Sequence, residues 1–347
     1  MVPVFLFGDF AHRIPLAYAP IASLCHDRIK VVDQIHQAKL ILIGHSKDIA
    51  RYEAELAAAL RATPRCHAVF LSEEPFWDII WGADPFSRQQ FMEIDGDRFP
   101  LTVLNHTTSD IFAFNRIPYF LLTDLGFATR YALRFRRNAR KSPEDWADHF
   151  SNCSYRAAFI AEKRLNPKFA VSFPQEDTFG LCRFRSLVTQ DYKTGQVLRA
   201  GAGWRKAPRR QALGNWHLDK LMQLDQRCRF VSALENTHQR QYVTEKFFDA
   251  FAVGAVPLYF ASQGHRVHDI APANVWVNLF NSDIETAAAH ACQSIDAFAF
   301  DAPFFQSYCA IQARLADTFA NPAVLLAEQD RLSAALIGEL QTLATGV

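Results

Sequence analysis

Two short apolar runs joined through a helical pattern constrain this chain most. They lie between Arg229 and Phe260, RFVSALENTHQRQYVTEKFFDAFAVGAVPLYF. Phe230 to Leu234 is an apolar run that ends on the polar pair Glu235-Asn236. After a loop, residues from about Thr244 to Val253 carry apolar side chains at helical spacing. Gly254 stops them, and Ala255 to Phe260 form a second apolar run. Apolar runs of this length, bounded by polar residues and separated by a helix, predict adjacent buried strands of a parallel α/β sheet. Thr244 is a suitable N-cap, which puts Glu245 and Lys246 in the first helical turn. A lysine there opposes the helix macrodipole unless an anion lies between them. Helix N-termini beyond the carboxyl ends of parallel strands are ready anion sites. The alternative is a solvated Lys246 with Glu245 as its neutralising neighbour.

The chain has 347 residues, enough for two α/β domains rather than one core. Half of them are hydrophobic and 30 are Phe, which excludes a disordered chain. The net charge of +1 excludes a polycation, so no nucleic-acid partner is expected. Cys25, Cys66, Cys153, Cys182, Cys228, Cys292 and Cys309 are scattered and never spaced as C-x-x-C. They predict buried thiols of a reducing compartment. No run approaches the roughly 20 apolar residues of a membrane span, and VPVFLFGDF lacks the basic flank of a leader. A soluble, cytoplasmic protein is expected.

Val2 to Phe7, Lys39 to Ile43, Ala68 to Leu71 and Leu101 to Leu104 read as strands, and Ile49 to Arg61 as one helix. Ser142-Pro143-Glu144 reads as a helix start. Val275 to Phe280 reads as a strand, and Asn321 to Thr345 as helical. The boundary is expected near residue 138, dividing the chain into domains 1–138 and 139–347, with the last helix free to return to the N-terminal domain. Two basic clusters, Arg134 to Lys141 and Arg205 to Arg210, read as solvated loop faces. His265 and His268 read as solvated loop residues. Asp95-Gly96-Asp97 reads as a plain turn with no strand ending at it, rather than a metal-diphosphate motif.

The chain resembles glycosyltransferase family 10, the α-1,3/4-fucosyltransferases. The residues that carry the resemblance are Glu235-Asn236-Thr237, Tyr242-Val243-Thr244-Glu245-Lys246 and Gly254-Ala255-Val256-Pro257, followed by Ala271-Pro272 and the strand VWVNLF. Weaker likenesses are Ser72-Glu73-Glu74-Pro75, Ser109-Asp110-Ile111-Phe112 with Pro118-Tyr119, and Ser151-Asn152 with Arg156. The resemblance implies a GT-B fold, two Rossmann-like domains with parallel sheets facing a cleft. It implies transfer of L-fucose from GDP-β-L-fucose to a glycan hydroxyl with inversion, in an α-1,3-type linkage. The donor would be held by Arg156, Glu235, Asn236, Tyr242, Thr244, Glu245 and Lys246. Glu73 is the candidate base, with Glu74 and Asp110 as rivals. Fixed cations and a helix N-terminus would meet the leaving diphosphate, with no metal and no other cofactor. By analogy the enzyme would be of bacterial type.

The chain also departs from the family. About thirty extra residues separate Arg156 from Gly201-Ala202-Gly203, three extra separate Phe112 from Pro118, and the acidic residue that some family members have near Thr107-Thr108 is not matched here. A transferase of another nucleotide sugar, or a nucleotide-sugar-binding module without turnover, remains open at this point.

Overall fold

The computed structural model describes residues 1–204, 214–281 and 287–346. The chain forms two units, Met1–Leu125 with Ala323–Val347, and Gly126–Pro322. The units part between Leu125 and Gly126, upstream of the boundary expected near 138. The basic residues Arg205, Lys206, Arg209 and Arg210 lie outside the described residues.

Unit 1 is built on six strands: β1 (Val2–Phe7), β2 (Ile29–Val31), β3 (Leu40–Ile43), β4 (His67–Leu71), β5 (Gln89–Ile94) and β6 (Asp97–Leu104). Their order in the sheet is β2-β1-β3-β4-β6-β5. All pairings are parallel except β5 with β6. β3 and β4 are apolar and almost wholly buried, as strands covered on both faces must be. The first helices are α1 (Ala19–Cys25), α2 (Ser46–Arg51) and α3 (Glu53–Ala62). The single helix expected from Ile49 to Arg61 is thus two helices, broken at Tyr52 (φ −117°, ψ 33°). β5 escaped the sequence reading because its alternating QQFMEI leaves Phe91 exposed. With β6 it makes a hairpin whose turn is Asp95-Gly96, both at positive φ. Arg61 binds both aspartates of that turn, 2.8 Å to Asp95 and 2.6 Å to Asp97. The last helix, Pro322–Thr345, pairs Glu339 with Arg88 and Ser109, and Glu328 with the N–H groups of Asn115 to Ile117.

Unit 2 holds β7 (Tyr155–Ile160), β8 (Ser172–Phe173), β9 (Thr178–Gly180), β10 (Val197–Ala200), β11 (Cys228–Ser232), β12 (Thr237–His238), β13 (Val256–Tyr259) and β14 (Val277–Asn278). Its main sheet runs β10-β7-β11-β13-β14, all parallel. β8, β9 and β12 form a small antiparallel sheet. The strand expected from Val275 to Phe280 is only two residues long, preceded by a 3₁₀ turn. The helices are α4 (Gly126–Asn138), α5 (Pro143–Ser151), α6 (Cys182–Asp191), α7 (Trp216–Leu224), α8 (Glu245–Ala252), α9 (Val267–Ile270), α10 (Ala287–Ala297) and α11 (Ala302–Ala320). Ser142 and Asp145 close a reciprocal capping box on α5, with Pro143 in the first turn. The basic stretch before it is helical: Arg134, Arg136 and Arg137 lie on α4.

α8 decides how unit 2 is packed. Phe247, Phe248, Ala250, Phe251 and Ala252 are all fully buried, so the helix is enclosed on every side. Asp249 sits among them and is also fully buried. A carboxylate there requires partners. Tyr131 of α4 donates at 2.7 Å, His217 of α7 lies at 2.7 Å, and Lys220 of α7 donates at 2.9 Å. Burial alone would raise the Asp249 pKa, but Lys220 and the His217 hydrogen bond hold it well below the usual carboxylate range. α4 and α7 are thereby tied to the helix that carries Lys246.

A candidate nucleotide site and a candidate base

In unit 2 the chain runs from β7 through α6 to β10 on one side, then returns to β11 on the other. The crevice beyond the carboxyl ends of β7 and β11 is therefore the topological switch point of the sheet, where doubly wound folds bind ligands. Glu235 and Asn236 follow β11 there, and Lys246 opens α8.

The structure brings Glu235, Thr244, Glu245 and Lys246 together. Lys246 Nζ donates to Glu235 Oε2 at 2.8 Å and to Thr244 Oγ1 at 2.9 Å, and lies 3.6 Å from Glu245 Oε1. Glu235 also accepts the Thr244 N–H and hydroxyl, each at 2.8 Å. Thr244 occupies the N-cap position, yet its side chain makes no capping bond, because its hydroxyl turns to Glu235 instead. The solvated reading of Lys246 does not hold. Its main counter-ion is Glu235 from the end of β11, rather than its neighbour Glu245 or a bare helix terminus. Burial raises the Glu235 pKa against the pull of Lys246. Burial would lower that of Lys246, but the two glutamates outweigh it and raise it. Two of the three ammonium N–H bonds are used inside the cluster, and the side chain keeps 19 % exposure.

Asn236 is half-buried, and its carbonyl accepts the Leu181 N–H at 2.8 Å. Tyr242 is buried, and its carbonyl accepts the Tyr259 hydroxyl. Glu245 is only 2 % exposed and turned toward Lys246.

Arg156 is not part of this cluster. It is the second residue of β7, at the amino edge of the sheet, whereas Lys246 follows the carboxyl edge of β11. Its guanidinium is bound by Tyr192 Oη at 2.9 Å and Asp296 Oδ1 at 3.1 Å. The stretch between Arg156 and Gly201 holds the rest of β7, then β8, β9, α6 and β10.

The cation that does stand at the switch point is Arg185, which the sequence reading missed. It lies on α6, is 6 % exposed, and donates to the Leu234 carbonyl at 3.1 Å, next to Glu235. Its Nε is buried without a hydrogen-bond partner, and among the described residues no carboxylate pairs with it. It is close enough to Lys246 to oppose that residue's charge. Helical spacing of Phe184 and Val188 was the available signal. It would have revealed α6 and set Arg185 on its buried side. His265 also corrects the reading: it is buried, stacked 5.0 Å from His238, and accepts the Val267 N–H.

In unit 1, β1, β3, β4 and β6 are parallel, so the loops after them share one edge. They deliver Arg13, His45, Ser72 to Asp78, and His106. Gly8 turns the chain after β1 at φ +84°; a Cβ there would come 2.2 Å from Asp48 Cγ. Asp48 accepts the Asp9 and Phe10 N–H groups and so fixes the loop that leads to Arg13. Glu73 receives a hydrogen bond from Tyr18 Oη at 2.9 Å, and Arg13 Nε lies 3.5 Å from it. His106 Nε2 donates to the Glu73 carbonyl at 3.0 Å. Burial pushes the Glu73 carboxyl up to about 7, against Arg13 and the Tyr18 bond. A carboxyl near 7 matches what a general base needs at neutral pH. Glu74 is half-buried beside Ser72, which accepts its N–H. Asp110 is exposed at the start of a 3₁₀ turn, where its carbonyl accepts from Arg331. It is not drawn into the Glu73 cluster. Arg13, Asp78 and His45 were not foreseen.

Residues 189–310 match the model of glycosyltransferase family 10 (fucosyltransferase), C-terminal part. That stretch contains the whole Glu235–Lys246 cluster. The match covers about a third of the chain. The chain is 32% identical over 80 residues to "4-galactosyl-N-acetylglucosaminide 3-alpha-L-fucosyltransferase 9" of Mus musculus, and 31% identical over 80 residues to that of Homo sapiens. Each match spans 22% of this chain and 22% of the relative. A solved α1,3-fucosyltransferase aligns over 93% of this chain and 91% of its own, at 14% identity and a TM-score of 0.40. The α/β class expected for a family 10 chain is present in both units, each on a mainly parallel sheet. Among the described residues, no helix is long and apolar enough to cross a membrane.

Proposed function

We propose that the protein moves L-fucose from GDP-β-L-fucose to a hydroxyl of a glycan acceptor, with inversion and in an α-1,3-type linkage. The observation that carries this reading is Arg185: a buried guanidinium whose Nε has no partner among the described residues, beside Lys246, at the switch point of unit 2. Burying a cation without a carboxylate is costly, and a bound anion removes that cost. A nucleoside diphosphate fits, because Arg185 offers a planar donor fork and Lys246 a point charge. The relatives' names support fucose and the 3-linkage.

In the reaction, the acceptor hydroxyl attacks C1 of the fucosyl group from the face opposite the phosphate. Its proton passes to Glu73. The C1–O bond breaks with its electron pair going to the β-phosphate of GDP. Lys246 and Arg185 meet the charge that develops on the diphosphate. Glu235 and Thr244 act as positioning residues, since they fix where the Lys246 ammonium stands. With the charge met by two side-chain cations, turnover is expected to survive EDTA.

The test is a thermal shift with GDP, GDP-fucose and other nucleotides, followed by turnover on an acceptor panel. A ligand at 100 times its dissociation constant stabilises by about 2.7 kcal/mol. Lys246→Ala is expected to weaken the GDP response. If GDP and GDP-fucose leave the melting temperature unchanged while another nucleotide raises it, the fucose reading fails.

A further inference from the structure

The loop after β4 holds a second buried carboxylate, Asp78, whose part in the chemistry above is unassigned. Asp78 is 3 % exposed. It accepts from Arg13 Nη1 at 2.7 Å and lies 3.2 Å from the Ser72 hydroxyl. His45 Nδ1 accepts the Lys47 N–H, so the neutral ring carries its proton on Nε2, which faces Asp78 Oδ1 at 3.5 Å. One guanidinium thus serves two buried carboxylates, and it does so unequally. Asp78 takes a short charge-assisted hydrogen bond at 2.7 Å, and Glu73 only a 3.5 Å contact from Nε.

We propose that Asp78 is a positioning residue which engages the strong end of Arg13 and so leaves the Glu73 carboxylate loosely paired and able to take a proton from an acceptor hydroxyl. The proposal rests on the reading of Glu73 as the base. Glu73 is faced by Arg13 from the turn after β1, by Tyr18, by Tyr119, and by Glu74 and Asp78 of its own loop. Asp78 is faced by Arg13, His45, Ser72 and Glu74. Of all these, Arg13 is the only cation placed to lower the proton affinity of either carboxylate directly. An arginine fully paired with a carboxylate lowers its titration midpoint by roughly one to three pH units. A base held that way would be deprotonated but too weak to work at neutral pH. The competition with Asp78 prevents this.

Opposite shifts test the idea. In Asp78→Asn, Arg13 is released to Glu73 and a like charge disappears, so the Glu73 midpoint should fall by about one pH unit or more. In Arg13→Gln it should rise. The midpoint is read on the full chain, labelled with ¹³C-carboxyl glutamate, as the NMR signal that Glu73→Gln removes. The acid limb of kcat/KM with GDP-fucose should follow the same shifts. A purely structural role for Asp78 would lower the plateau and the melting temperature while the midpoint stayed put. Unmoved midpoints, or shifts of the same sign, overturn the proposal. If Asp78→Asn does not fold, Arg13→Gln decides alone: an unmoved or lowered midpoint overturns it. Opposite shifts in a chain that turns over no acceptor would uphold the pairing and remove the fucosyl-transfer reading. Turnover with fixed midpoints would do the reverse.

Discussion

Arg185→Met sets stability against binding in unit 2. The side chain is 6 % exposed, and among the described residues its one hydrogen bond runs to the Leu234 carbonyl at 3.1 Å. Losing a bond from a charged donor costs about 2 kcal/mol. Against that, the substitution removes a buried ion, whose effective desolvation penalty is several kcal/mol. It also removes a like charge near Lys246. Glu235 does not depend on Arg185, since Thr244 and Lys246 already satisfy it. Methionine is unbranched and flexible enough to fill the same slot. The desolvation term is the larger, so the ligand-free protein should gain about 1–3 kcal/mol. For a unit of this size that raises Tm by about 2–4 °C per kcal/mol. GDP should meanwhile lose one or two charge-assisted bonds, about 2–4 kcal/mol, or roughly 30- to 1,000-fold in Kd. Scanning calorimetry without ligand and calorimetric titration with GDP measure the two sides. A protein that melts several degrees lower while binding GDP unchanged would show that Arg185 is structural, and would remove the observation on which the proposed function rests.

Two further outcomes follow from the buried carboxylates. Glu73→Gln should lower turnover by about 10²–10⁴-fold with GDP affinity unchanged, measured by steady-state kinetics and titration. Because the folded pKa of Glu73 is raised to about 7, its contribution to stability is fully present below about 4.5 and is lost as pH rises through 7. The Gln variant should therefore melt higher than the parent at pH 8, by no more than about 3 kcal/mol, and should lose that advantage at pH 5. Asp249→Asn should cost about 3–5 kcal/mol in denaturant unfolding, because it strips the half-buried Lys220 of its counter-charge and the buried His217 of its carboxylate partner. Asp249 titrates below its ordinary value when folded. Its stabilisation is therefore present above about pH 4 and lost as pH falls further, and the variant should not share that loss.

The strands β1, β3, β4, β11 and β13 were legible because each is a short apolar run bounded by polar residues or glycine. The start of α5 was legible because Ser142 and Pro143 are local signals. β5 was not, since a hairpin strand with an exposed Phe91 lacks a continuous apolar run. Arg156 misled because an S-N…R spacing says nothing about which edge of a sheet the residue meets. Glu73 and Lys246 were found from their places after a strand and at a helix start.

The order of residues alone determined an α/β chain, the segment that carries the resemblance to family 10, the loop that holds Glu73 and the helix start that holds Lys246. These depend on periodicity and capping, which act over a few residues. The partners of those two groups were settled only by tertiary structure. Glu235 reaches Lys246 from eleven positions away. Asp78 and Glu73 meet Arg13 from 65 and 60 positions along the chain. Arg185 comes beside Lys246 from a helix on the other side of β10 and β11 in sequence. Charge pairing in a low-dielectric interior depends on distances of a few ångströms in space, and those distances exist only once the strands of each unit have formed their own sheet.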